Sequence, residues 1–197
     1  MSLLTRSVIL ASGSAYRAQL LRDAGVVFTV RVSHVDEEAH PLSEPAIYAT
    51  SLATLKAHAV AALPEIAADQ PIVIGADTVC AIGHEIIGKP ADEADARRMI
   101  ARACAAGLQR VITGVCVVDT RDGSVCSFSE TSLVDMGPAD EEEIAAYVAS
   151  GEPMGKCGAL CIESGRTFVR SWRGSYANIM GLPNERLIPL LLKLDVT

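Results

Sequence analysis

The sequence predicts an α/β fold, and two observations carry that reading. Short apolar runs of strand length alternate with stretches whose apolar residues recur at helical spacing. Capping chemistry also stands at the predicted helix starts: Ser14, then Ser43 with Pro45 in the first turn, then Asp92. Taken in order, residues 8–11 form a buried strand, and Ser14 opens a helix that ends at Gly25. Residues 27–32 alternate as a second strand, and 43–63 carry a helical period. Residues 71–74 are a third apolar strand, followed by a hairpin through 83–90. Asp92 caps a helix running to about Cys104. Residues 111–118 and 125–134 read as long paired strands joined by the Arg121-Asp122-Gly123 turn. A helix over about 138–149, strands near 159–162 and 167–172, and a closing helix after Pro183 complete the chain. There is no repeat, low-complexity segment or linker, so residues 1–197 are expected to form a single domain.

Half of the 197 residues are hydrophobic, which leaves ample core, and the net charge is −7. An acidic chain of this kind lacks the basic face that phosphate contacts to nucleic acid need. It has no run of about 20 apolar residues that would span a membrane. The apolar stretch at its start is too short for a secretory signal. The expectation is a soluble cytoplasmic protein with no nucleic-acid or membrane partner. The cysteines at 80, 104, 116, 126, 157 and 161 form no CxxC and no zinc-ligand spacing. Cys157 and Cys161 are expected on one strand about 13 Å apart, too far to bridge. The cysteines therefore read as reduced core residues.

Candidate chemistry starts at Lys56. On a helix with 100° per residue, Ala49, Leu52, Ala53, Ala59, Val60 and Leu63 fall within roughly 60° of it. An ammonium on an apolar stripe either snorkels to the rim or meets an anion. Leu10-Ala-Ser-Gly-Ser14-Ala-Tyr-Arg17 is a strand, a polar glycine turn and a helix start, where free amides with the Ser12 and Ser14 hydroxyls can bind an anion. Arg17 opposes the helix dipole there, as either a phosphate ligand or a surface arginine. Asp77 follows the apolar run 72–74 by a Gly-Ala step, at what reads as the C-terminal end of a buried strand. That is a ligand position in α/β folds, or simply a turn. Asp36-Glu37-Glu38 offers an oxygen ligand for Mg²⁺ or a solvated acidic loop.

Gly83 to Lys89 imitates a phosphate loop but fails as one. Pro90 stands where a Ser or Thr is required, and the residues between read as a hairpin. Lys89 remains a candidate phosphate contact by another geometry. Cations at Arg17, Lys56 and Lys89 with carboxylates at Glu37 and Asp77, and no serine or cysteine nucleophile beside a base, suit metal-assisted attack of water on a polyphosphate.

These residues resemble the Maf family of nucleoside triphosphate pyrophosphatases. The motifs are Leu10-Ala-Ser-Gly-Ser14-x-x-Arg17, Val35-Asp-Glu37, Leu55-Lys56-Ala57, Ile74-Gly-Ala-Asp-Thr78 and Ile87-Gly-Lys-Pro90. Thr113-Gly-Val115, Tyr147 with Gly151-Glu-Pro153, Gly174-Ser-Tyr176 and Gly181-Leu-Pro183 continue the series in order. The resemblance implies an elongated mixed sheet with flanking helices in two lobes around a central cleft, as in Maf and ITPase proteins, and often a homodimer. It implies cleavage of a nucleoside triphosphate to monophosphate and pyrophosphate with Mg²⁺ or Mn²⁺. Asp77 would be the water-activating base and, with Glu37, a metal ligand. Ser14, Arg17, Lys56 and Lys89 would hold the phosphates. The family's name also links it to cell division, which leaves a catalytically weak nucleotide-binding regulator as the alternative.

Specificity is mixed. The branch acting on thymidine and uridine triphosphates carries Arg, Thr and Gln at the positions of Tyr16, Thr78 and Glu163. The 7-methyl-GTP branch favours an aromatic, Gln and Glu. Tyr16 and Glu163 match the second branch, whereas Thr78 and the Gly174-Ser-Tyr176 loop match the first. Gly155 and Cys157 stand where the family usually reads Asp and Ala before Gly158, so no role is carried over to Lys156.

Overall fold

The computed structural model describes residues 3–37, 39–163 and 166–196. Glu38 of the acidic triplet lies outside them. The chain runs β1 (Val8–Leu10), α1 (Ala15–Asp23), β2 (Thr29–Val30), α2 (Pro45–Ala61), α3 (Pro64–Ala67), β3 (Ile72–Ile82), β4 (Glu85–Ile87) and α4 (Glu93–Ala106). It continues through β5 (Leu108–Asp119), β6 (Val125–Met136), α5 (Glu141–Ala149), β7 (Val169–Arg173), α6 (Tyr176–Ile179) and α7 (Asn184–Asp195). The strands form one mixed sheet of order β2-β1-β3-β5-β6-β7, with β4 also on β3. The apolar β1 and β3 pair in parallel, and the β3–β5–β6 ladder is antiparallel. No helix among the described residues is long and apolar enough to cross a membrane.

The placement of β1 and β4 creates the site. One edge of β3 is covered by β5 from Ile72 to Ala81. The other edge takes β1 at residues 72–74 and β4 at 80–82, leaving 75–79 unpaired between them. That gap separates two lobes. One packs α1 and α7 on β1 and β3 through Leu10, Leu21, Ile74, Leu187 and Leu191. The other packs α4 and α5 through Ile100, Val111, Val134, Val148 and Phe168.

Helix α2 lies across the opposite face of the sheet, seated on backbone. A Cβ at Gly75 would overlap the Ala53 carbonyl, and one at Gly114 would overlap the Ala49 backbone. Glycine on the strands against alanine on the helix therefore permits a close approach that any larger pair would hold apart. The buried face of α2 comprises Pro45, Ala49, Leu52, Ala53, Lys56, Ala57 and Val60, so most of the expected stripe is buried, but Ala57 takes the place of Ala59, and Ala59 and Leu63 are only half-buried.

Several expectations are corrected. Glu44 caps α2 in place of Ser43, because its carboxylate reaches the Ala46 and Ile47 amides. The second strand shrinks to Thr29–Val30, since β1 offers only a short parallel partner. The strand begun at 71–74 runs on to Ile82 because β5 pairs with it throughout, so Asp77 is mid-strand and not at a strand end. Residues 159–162 are not a strand. Gly155, Gly158 and Ala159 take left-handed backbone, and the segment bonds to Gly88 and to the Tyr147 hydroxyl instead of to a sheet edge. Cys157 and Cys161 accordingly share no strand, and none of the six cysteines is in a disulfide.

Candidate active site

The gap in β3 opens into a cleft of about 1230 Å³. Alternate β3 side chains normally face opposite sides of a sheet, but at an uncovered edge both sides reach the same space. Asp77 and Thr78 therefore both line it. Lys56 Nζ lies 2.6 Å from Asp77 Oδ1 and 2.9 Å from Glu37 Oε1. The Lys56 and Asp77 side chains are 8% and 10% exposed, while Glu37 is 48% exposed at the mouth. Lys56 thus meets anions and does not snorkel. Burial pushes the Asp77 carboxyl above the usual range, against the pull of Lys56 and Arg17 and with a further push from Glu37.

The second wall is the N-terminus of α1. Ser14 caps it by accepting from the Arg17 amide at 3.4 Å, and the Ser14 amide donates to Ser12 Oγ at 3.3 Å. The Arg17 guanidinium folds inward, donating to Ser12 Oγ at 3.0 Å, Thr78 Oγ1 at 2.9 Å and the Gly181 carbonyl at 2.9 Å. Burial lowers its pKa against the attraction of Asp77 and Glu37. Arg17 is therefore a buried brace between the cradle, β3 and the turn before α7, and the surface reading fails. The hydroxyl chain continues from Thr78 to Thr113 and on to the Asn178 carbonyl. Asn178 sits in the first turn of α6, where Ser175 of the Gly174-Ser-Tyr176 motif is the cap.

Lys89 stands exposed on the cleft wall beyond β4. Tyr16 lines the cleft with its ring 4.5 Å below the Lys156 ammonium, which also donates to its hydroxyl at 3.2 Å. Glu163 is exposed and lies outside the lining, one residue past Ile162, which belongs to it. The other residues singled out from sequence converge on one cleft: Ser14, Tyr16, Arg17, Glu37, Lys56, Asp77 and Thr78, with Lys89 across from them.

The Maf-like protein family model matches residues 7–194. The chain belongs to the Maf family. A dTTP/UTP pyrophosphatase of Geobacter sulfurreducens is 46% identical over 178 residues, covering 89% of this chain and 90% of the relative. A nucleoside triphosphate pyrophosphatase of Streptomyces coelicolor is 43% identical, covering 96% and 89%. Among solved structures, a HAM1 protein from Coxiella burnetii superposes with a TM-score of 0.52 at 14% identity, covering 96% of this chain and all of that one, which bears on the fold alone.

The divalent metal implied for a Maf protein can be tested against the donors present. Among the described residues no group of three His, Cys, Asp or Glu side chains forms a self-sufficient metal cage. Mg²⁺ does not require one, since it keeps several waters and takes one or two carboxylates together with substrate phosphates. Glu37 and Asp77, converging on one ammonium in a cleft, fit that demand.

Two residues escaped the sequence reading. Tyr48 lines the cleft one helical turn before Leu52 and two before Lys56, and its hydroxyl points to the Glu37 carbonyl at 3.5 Å. Extending the Lys56 stripe by i−4 and i−8 would have found it. Lys156 has no comparable signal, because the loop carrying it is placed by long-range contacts.

Proposed function

We propose that this Maf protein, acting as a single domain, hydrolyses a nucleoside triphosphate to the monophosphate and pyrophosphate. The observation that carries the proposal is the buried Asp77 carboxylate, held by one lysine at the uncovered edge of β3 with its pKa raised. A carboxylate with a raised pKa is a better proton acceptor than an ordinary one, and Asp77 takes the proton of the attacking water. Lys56 neutralises charge beside it and faces the phosphates, joined by Lys89 on the other wall. Ser14 and the first amides of α1 cradle phosphate oxygens, while Arg17 fixes Ser12 and Thr78 and adds a buried positive charge. Glu37 and Asp77 would hold Mg²⁺ or Mn²⁺, which when bound polarises the phosphoryl group and acidifies water.

The relatives named for dTTP and UTP, with Thr78 in the cleft, support pyrimidine triphosphates as the substrate class. Tyr16 packs at the base end, and Glu163 tunes the preference from outside. The test is incubation with Mg²⁺ and a panel of dTTP, UTP, GTP and 7-methyl-GTP. Pyrophosphate and monophosphate, fastest from the pyrimidines, are expected. Orthophosphate release overturns the reaction. Binding without turnover would instead make the chain a nucleotide-binding regulator.

A further inference from the structure

Hydrolysis gives no task to the three cysteines that line the cleft, and two of these meet. Cys80 is on β3, and Cys157 is in the segment after α5, 77 residues away. Cys80 Sγ donates to the Cys157 carbonyl at 3.4 Å, and Cys157 Sγ donates to the Ile87 carbonyl at 3.5 Å. Ile87 is the cross-strand partner of Cys80, and the Gly158 amide donates to Gly88 at 2.9 Å. The backbone directly after Cys157 lies against Cys80, since a Cβ on Gly158 would sit 3.1 Å from Cys80 Cβ and 3.2 Å from its sulfur. The two thiols therefore share one small space at the cleft wall. They also differ in access: Cys80 is buried and Cys157 is half-buried.

Their chemistry is matched as well. The contact with Cys80 lowers the Cys157 pKa against burial and the nearby Asp77, with a smaller pull from Lys89, while the same contact and burial raise that of Cys80. A more reachable thiol of lowered pKa beside a buried partner thiol is the arrangement of a reactive and a resolving cysteine. Left-handed glycines at 155 and 158 flank Cys157 and give the segment the backbone freedom to approach β3.

We propose that Cys80 and Cys157 are a peroxide-sensitive pair that closes to a disulfide across the cleft wall. The Cys157 thiolate attacks a peroxide oxygen, the O–O bond breaks, and the departing hydroxide takes up a proton as water. The resulting sulfenic acid is attacked by Cys80 sulfur, so that the S–S bond forms, the S–O bond breaks and a second water leaves with the Cys80 proton. The peroxide gains the two electrons that the thiols lose. The bond ties the 155–158 segment, which carries Lys156 toward Tyr16, to the strand three residues beyond Asp77, and so locks the cleft away from its working geometry. That effect on turnover rests on the pyrophosphatase reading, whereas formation of the bond does not.

The experiment treats the full chain with hydrogen peroxide, maps peptides without reduction and measures dTTP turnover before and after a thiol reductant. A linked Cys80–Cys157 peptide short of two hydrogens is expected, with kcat/KM lowered about a hundredfold and restored by reduction. Cys157→Ala should keep turnover and lose the peroxide response, whereas Cys161→Ala should keep both. Absence of the linked peptide overturns the pair. A linked peptide with unchanged turnover overturns the switch. A reduced protein without turnover on any triphosphate counts against the pyrophosphatase reading and leaves the peptide map to decide the pair.

Discussion

Asp77 and Asp119 sit on neighbouring strands of one sheet, both nearly buried and both paired with cations, yet they are opposite kinds of carboxylate. Asp119 is 1% exposed at the end of β5. Arg6 grips it with two bonds of 2.7 Å, and Arg121 adds its amide at 3.0 Å and its guanidinium at 2.9 Å. Its acceptor sites are filled, and Arg6 holds its pKa well below the usual range. Arg6 and Arg121 also reach the Leu194 carbonyl, so the cluster fastens the two ends of the chain to the sheet. Asp77 takes one lysine on one oxygen, and that lysine is shared with Glu37. Here burial outweighs the counter-charge, and the pKa rises. Burial alone does not decide which way a carboxylate's pKa moves. The filling of its lone pairs does.

The sharpest break of this contrast is substitution of each carboxylate by its amide. Asp77→Asn should lower kcat by about 10²- to 10⁴-fold while the protein stays folded. Near-normal turnover in a folded variant would remove Asp77 from catalysis. Asp119→Asn should do the converse, costing about 3 kcal/mol at neutral pH by leaving two arginines half-paired. That corresponds to a fall in Tm of roughly 6–12 °C, with turnover retained wherever the protein is folded.

The pH dependence of that loss carries its own sign. Asp119 has a folded pKa below its unfolded value of about 3.9, so its stabilisation is present above that pH and lost as pH falls through the folded pKa. The gap in Tm between wild type and Asp119→Asn should therefore close in acid. A gap independent of pH would trace the loss to packing.

Lys56→Met sharpens the other side. With the raised Asp77 pKa, the acid limb of the wild-type pH–rate profile should lie above the ordinary carboxylate value of about 4. Removing the ammonium leaves burial opposed by Arg17 alone, so the limb should move further up, beyond the overall loss of rate. A raised folded pKa means that stability is complete at low pH and declines as pH rises through it. The variant should accordingly lose more Tm against wild type at pH 8 than at pH 5. An acid limb that stays put would separate Lys56 from Asp77 ionisation.

The smallest effect belongs to the cleft rim. Glu163→Gln should shift the kcat/KM ratio toward dTTP and UTP by about tenfold at most, because an exposed side chain discriminates weakly. Ratios unchanged across the panel would take Glu163 out of specificity.

Much of the site is legible in the order of residues. Lys56 stands out because an ammonium centred on alanines and leucines needs an anion, and Asp77 because it follows an apolar run, although that run is only the start of the longer strand β3. Glu37 rises above its acidic loop only through the Maf motif order. Ser14 is visible as a cap, but Arg17 is not visible as a brace, since its partners Thr78 and Gly181 are 61 and 164 residues away. The strand expected at 159–162 fails for a related reason. Ala159 and Leu160 do go inward, but onto α4, α5 and β4, with glycines that turn the chain away from the sheet, while Cys161 and Ile162 line the cleft.

Local sequence dictates what acts within a few residues: helix and strand periods, caps, the β5–β6 turn, and side chains whose chemistry clashes with their immediate surroundings. Long-range packing sets how β1 and β4 share an edge of β3 and leave it open at Asp77. It also sets how glycines at 75 and 114 let α2 bring Lys56 within 2.6 Å of that carboxylate. Periodicity is a property of neighbours along the chain, whereas an uncovered strand edge and a close helix seat exist only once distant segments have packed.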